Sequence, residues 1–171
     1  MNNVWIKYGL NFILVVLIQG LVVNNIQINE YLNPMVYPIM ILMLPFEMNI
    51  MAAMIMSLLL GISVDAFSNT FGLHASSALL IGYLRSSVLG YIKPRDGFDN
   101  TLLPSIHDMG VSWFLLYASI ILLLHHLWFF SFEILRLDLI LLILAKAFLS
   151  LFFSLALVIL FQYIFYKPSR K

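Results

Sequence analysis

Residues 50–92 read IMAAMIMSLLLGISVDAFSNTFGLHASSALLIGYLRSSVLGYI, and the reading of this stretch decides the fold. Ile50–Phe67 and Leu73–Ile92 are each within the range of about 17–25 mostly apolar residues that carries a helix across a bilayer. Between them lies only the turn Ser68-Asn69-Thr70-Phe71-Gly72. Two apolar helices joined by so short a turn form an antiparallel hairpin, and both are too apolar all round for a surface helix of a soluble domain.

Outward from this hairpin the pattern repeats. Trp5–Val23 precedes it and is closed by Asn24, Asn25 and Gln27; Val111–Phe130 and Leu139–Phe165 follow it. Lys7 ahead of an apolar run mimics a signal peptide, but no small-residue cleavage site follows, so a retained first helix is expected. Leu32–Leu44 is the irregular span, punctuated by Pro34, Pro38 and Pro45. About 13 residues at 1.5 Å each reach only ~20 Å, which predicts a short or broken second helix. The longest polar stretch, Lys93–Met109, reads as a loop. The expected fold is all-α: a single domain, residues 1–171, forming a polytopic membrane bundle of six transmembrane helices.

Composition agrees. Of 171 residues 63% are apolar and 10% charged, against roughly 25% charged in a soluble domain, and the mean hydropathy is +1.00. Soluble enzymes, disordered regulators and disulfide scaffolds are excluded together. A net charge of +1 offers no basic stripe for nucleic acid, and the lack of cysteine excludes thiolate chemistry. With the N-terminus cytoplasmic, Lys7, Lys93, Arg95, Lys167, Arg170 and Lys171 face inward and only Arg136 outward. The positive-inside rule therefore favours cytoplasmic termini and an even number of spans.

Small residues four apart mark surfaces where helices approach closely in lipid. Ala53, Ser57 and Gly61 form one row that Asp65 continues; Ala78, Gly82, Ser86 and Gly90 form a second; Lys146, Ser150 and Ser154 a third. Such rows are internal seams of a bundle or docking faces for another protein's helix, and periodicity does not separate the two. Methionines gather between Met35 and Met56 as adaptable packing surface.

Charges inside a bilayer are costly and mark function by default. Arg85, about 18 Å below the outer start of its helix, snorkels inward or pairs with Glu47. Lys146, ~10 Å down, reaches toward Asp65, Glu133 or Asp138. Asp65, at the outer end of its helix, either reaches interfacial water or takes a buried structural role. For the latter, a pair with Lys146 and a cap on the Ser68–Gly72 turn both stand open. Adjacent His125 and His126 are expected on different helix faces, so no shared metal is expected, and no cofactor. No catalytic constellation is found. Asp65 and Asp138 lack the motifs of an intramembrane aspartate peptidase, Arg95-Asp96-Gly97-Phe98-Asp99 lacks the spacing of a CDP-alcohol phosphotransferase, and His74, Ser105 and His107 have no third partner.

The run Leu60-Gly61-Ile62-Ser63-Val64-Asp65, then Gly72-Leu73-His74-Ala75, then Gly82-Tyr83-Leu84-Arg85 resembles the MreD family of bacterial rod shape-determining membrane proteins. The Pro-bounded second span, Asn33-Pro34 to Pro45, is similar too; the turn Ser68-Asn69-Thr70 departs from the glycine usual there. The resemblance implies a non-enzymatic plasma-membrane component of the cell-elongation machinery. It would work with a single-span MreC-like protein, actin-like MreB, and the RodA glycosyltransferase with its transpeptidase. It also implies a fold like the S-components of energy-coupling-factor vitamin transporters, so substrate uptake is the alternative. An S-component needs a polar, aromatic-lined pocket opening outward; a scaffold needs only seams.

Overall fold

The structure, a computed structural model, describes residues 2–25, 31–99 and 101–166; Gln27, Lys167, Arg170 and Lys171 lie outside them. The described residues form helices and the segments that connect them, without strands. Helix α1 spans Asn2–Leu17 and continues through a π-helical turn, Ile18–Val22, into a 3-10 turn, Val23–Asn25. A single turn α2 (Ile39–Leu42) precedes α3 (Ile50–Ser68) and α4 (Leu73–Tyr91); α5 (Ile106–Met109), α6 (Val111–Ile134) and α7 (Ile140–Phe165) complete the chain. Three of these, α3, α6 and α7, are long and apolar enough to cross a membrane, with mean hydropathies of 2.1, 1.8 and 2.5. Helix α4 equals α3 in length, 19 residues, but carries His74, Arg85 and four serines.

Local chemistry sets the ends. Asn49 caps α3 by accepting the Met51 N–H at 2.8 Å. Asn69 ends it in the left-handed conformation at φ 52°, which Asn tolerates better than most residues; that is how the turn dispenses with a glycine at this position. Gly72 (φ 85°) then opens α4. The expected loop Lys93–Met109 ends in the helical turn α5, capped by Ser105, whose Oγ accepts the Asp108 N–H at 3.1 Å.

Contacts fix the direction of each element. Gly61 on α3 faces Ala75 on α4 while Gly82 faces Ser57 and Ala53, so the two run antiparallel. Arg85 meets Tyr117 and His74 meets Phe129, which makes α6 antiparallel to α4; His126 with Ser154 and Lys146 with Glu133 make α7 antiparallel to α6. Gly20 of the π-helical turn abuts Phe67 and Asn24 bonds Ser68, while Gly9 of α1 shares a crevice with Pro45 and Met48, so α1 and its continuation lie parallel to α3.

Residues 33–44 follow the same alternation. Asn33, Met35 and Met43 lie beside Ser150, Ser154 and Gln162 of α7 in that order, a travel of about 18 Å along the helix. Only Ile39–Leu42 of this segment is helical, yet all of 34–44 is buried. The expected broken second span is therefore an unwound strut through the middle of the bundle. Pro34 and Pro38 are the local cause, since proline removes a backbone donor and disfavours helix in the residue before it.

Candidate functional site

An unwound backbone inside an apolar bundle leaves amides and carbonyls that no water reaches; each has to find a partner in the protein. Side chains from four surrounding helices do this for residues 33–45. The π-turn of α1 rotates Gln19 into the centre, where its Oε1 accepts the N–H groups of Val36 (2.7 Å) and Tyr37 (3.3 Å) and its Nε2 donates to the Pro34 carbonyl (3.4 Å). Ser150 and Ser154 of α7 accept the N–H groups of Asn33 (3.0 Å) and Met35 (2.8 Å). At the far end the Arg85 guanidinium donates to the carbonyls of Leu44 and Pro45 and to Tyr117 Oη (2.9 Å), and Tyr117 donates to the Leu42 carbonyl (3.2 Å).

A chain of rings lies across the strut. Tyr37 Oη contacts His74 Nδ1 (3.3 Å) and His125 Nε2; His125 Nδ1 meets His126 Nδ1 at 3.0 Å; His126 Nε2 meets Ser154 Oγ at 2.9 Å. All of these side chains are buried. The expectation that His125 and His126 part to different faces is corrected here. Adjacent residues differ by about 100° around a helix, and the buried face of α6, wedged between α4 and α7, is wide enough to hold both rings. Among the described residues no group of three or more His, Asp or Glu is placed to hold a metal ion.

Asp65 is buried, away from interfacial water, and acts as a cap and not as the partner of Lys146. Its Oδ1 accepts the Thr70 hydroxyl (2.5 Å) and the His74 N–H (3.1 Å), and its Oδ2 the Ala75 N–H (2.9 Å). A carboxylate of α3 thus covers two free amides at the start of α4, where the helix dipole favours negative charge. Lys146 pairs instead with Glu133 at 2.9 Å and lies 5.4 Å from the Phe130 ring centroid. It sits seven residues into α7, level with the last turn of α6, so Glu133 is the acid within its reach.

The other residues singled out in the sequence divide in two. Gly61 and Gly82 lie in the α3–α4 seam, Ala78 is buried one turn before Gly82, and Gly72 is in the turn that joins the helices. Arg85 projects to the strut. Ser86 and Gly90 are exposed, because α3 begins at Ile50 and the seam ends before it reaches them; with Phe46, Lys93 and Phe98 they line a surface hollow of about 500 Å³. Sequence reasoning passed over Gln19, Tyr37, Tyr117 and Gln162. Their signal was plain in one respect: each is a polar group inside an apolar run. Comparison of the chain with protein-family models, with curated proteins and with solved structures returns no match.

Proposed function

We propose that the chain is a non-enzymatic, six-span scaffold of the bacterial plasma membrane, MreD-like, with both termini cytoplasmic. It joins an MreC-like single-span protein to the cell-elongation machinery of MreB, RodA and its transpeptidase, and so helps to direct peptidoglycan synthesis. One observation carries the reading. The polar and aromatic side chains that could line a substrate pocket, Gln19, Tyr37, His74, His125, His126, Ser150 and Ser154, are bonded to the strut or to one another. A substrate-capturing subunit keeps such groups free for its ligand; a scaffold uses them to hold its own shape. The alternation of six segments supports an even number of crossings, with Ile106 and His107 beside the last turn of α7.

Co-purification from native membranes tests the partners. Recovery of a single-span MreC-like protein is expected; recovery of paired ATPases with a membrane coupling subunit would replace the scaffold by a transporter subunit. Fusions at Lys171 test orientation, with fluorescent protein active and alkaline phosphatase inactive.

A further inference from the structure

Between α1 and α3 runs a crevice of about 370 Å³, open to the side of the bundle, whose wall includes Gly9, Phe12, Met40, Met48, Met56 and Leu59. Its lining is almost wholly apolar, and Leu44 of the strut adds to its floor. Three features of the molecule say what fills it. An apolar hollow of this kind stays dry, so water is not the occupant, and an empty one forfeits dispersion contacts along its whole lining. The crevice is continuous with a side-facing apolar surface, since Leu10, Ile13, Met51, Ile55 and Leu59 on its two flanking helices are all exposed. It is also too small for a helix: a cylinder roughly 10 Å wide uses up such a volume within about one turn.

Gly9 leaves the α1 wall of the crevice open. Gly20, Gly61 and Gly82 are each explained by a protein neighbour, which an added Cβ would meet at 2.7 Å, 2.4 Å and 2.4 Å respectively. At Gly9 an added Cβ meets nothing within 4 Å, although glycine inside a helix costs about 1 kcal/mol relative to alanine. Gly90 in α4 is open in the same way, so it is the place of Gly9 in the crevice wall, and not the missing contact alone, that bears on the occupant. Three of the lining side chains are methionines, which adapt to an irregular flexible guest better than branched residues do.

We infer that this crevice is a binding site for one acyl chain of a bilayer phospholipid, seated against Met40 and Leu44 of the strut. The inference rests on the chain lying in a membrane, and not on the identity of its protein partners. The bound chain would also touch the strut, at Met40 and Leu44.

The test reconstitutes the full chain in vesicles of phosphatidylethanolamine and phosphatidylglycerol containing a trace of phosphatidylcholine with a diazirine on one acyl chain. After photolysis, label is expected to concentrate on Met40, Met48 and Met56 over the exposed residues of α7. Gly9→Phe, which fills the crevice from α1, is expected to lower that label several-fold without loss of folded protein, whereas Leu141→Phe on the exposed face of α7 leaves it unchanged. Met48→Phe fills the same space from the opposite wall and serves if Gly9→Phe fails to accumulate. Label spread evenly over α3 and α7 and insensitive to the filling variants would overturn the site, as would a co-purifying protein cross-linked at Met48 in place of lipid. Flotation with the vesicles is scored in every arm. Its loss counts against the membrane reading, and flotation without selective label counts against the crevice alone.

Discussion

The α3–α4 seam and the strut of residues 33–44 both lie buried in the bundle, and they are held by opposite means. The seam is two regular helices whose backbone groups are satisfied internally, so its stability depends on how closely small residues let the helices approach. The strut is mostly not helical, and its stability depends on donors and acceptors that other elements reach across to supply. Added volume should therefore injure the seam, whereas the strut should fail when a single polar side chain is withdrawn.

The largest effect is expected in the seam. A Cβ at Gly61 falls 2.4 Å from the Ala75 Cα and 2.7 Å from its nitrogen, backbone atoms that cannot swing aside. Gly61→Leu should cost about 3 kcal/mol or more and remove the protein from the membrane fraction. Gly82→Leu first meets the Ser57 side chain and should cost less, about 1–3 kcal/mol, while Gly90→Leu, with nothing within 4 Å, should stay within about 0.5 kcal/mol. Thermal unfolding in detergent ranks the three. Equal tolerance of leucine at Gly61 and Gly90 would break the distinction between the two regions.

Arg85 is the strut's counterpart to Gly61. Arg85→Met keeps much of the apolar stem but leaves the buried Leu44 carbonyl without a donor, at about 1–3 kcal/mol, while the half-buried Pro45 carbonyl keeps the Met48 N–H at 3.2 Å. Hydrogen exchange gives the sharper readout. Amides of residues 39–44 should lose protection while those of 54–64 in α3 keep theirs. Loss of both together would mean that strut and seam form one cooperative unit.

Gln19→Leu should come next, because it orphans two amides, Val36 and Tyr37, at the other end of the strut. The expected cost is about 2 kcal/mol, less than two full desolvation penalties because Asn24, already bonded to Gln19, lies close enough for partial rearrangement. Gln19→Leu and Arg85→Met act on opposite ends and share no partner, so their costs should add to within about 0.5 kcal/mol.

The two regions also differ in how far the sequence reveals them. The apolar runs, the hairpin at residues 50–92 and the Ala53/Ser57/Gly61 row were legible, because a seam is a period and a period is visible in one dimension. The prolines at 34, 38 and 45 announced a broken segment, but nothing in the spacing of Gln19, Arg85, Tyr117, Ser150 and Ser154 announced that they converge on it. Side-chain-to-backbone bonds across 15 to 119 positions carry no repeat. Ser86 and Gly90 show the converse error: the row continues in sequence after the partner helix has ended, and only the start of α3 at Ile50 reveals it.

The smallest expected effect concerns the charges at the Asp65 end. Lys146 and Glu133 are only partly covered, with side-chain exposures of 19% and 31%, so their pair is worth at most about 1 kcal/mol. Exchanging them, Lys146→Glu with Glu133→Lys, should restore most of what either single change loses, because two long side chains on antiparallel helices can meet with the charges reversed. Exchanging Asp65 with Lys146 should restore nothing. The oxygens of Asp65 face the N–H groups of His74 and Ala75, and a lysine there puts a cation against amide hydrogens at the positive end of a helix. Membrane accumulation of the four single and two double variants separates the cases, and recovery in the Asp65/Lys146 exchange would show that the carboxylate's role is that of a movable charge and not of a cap.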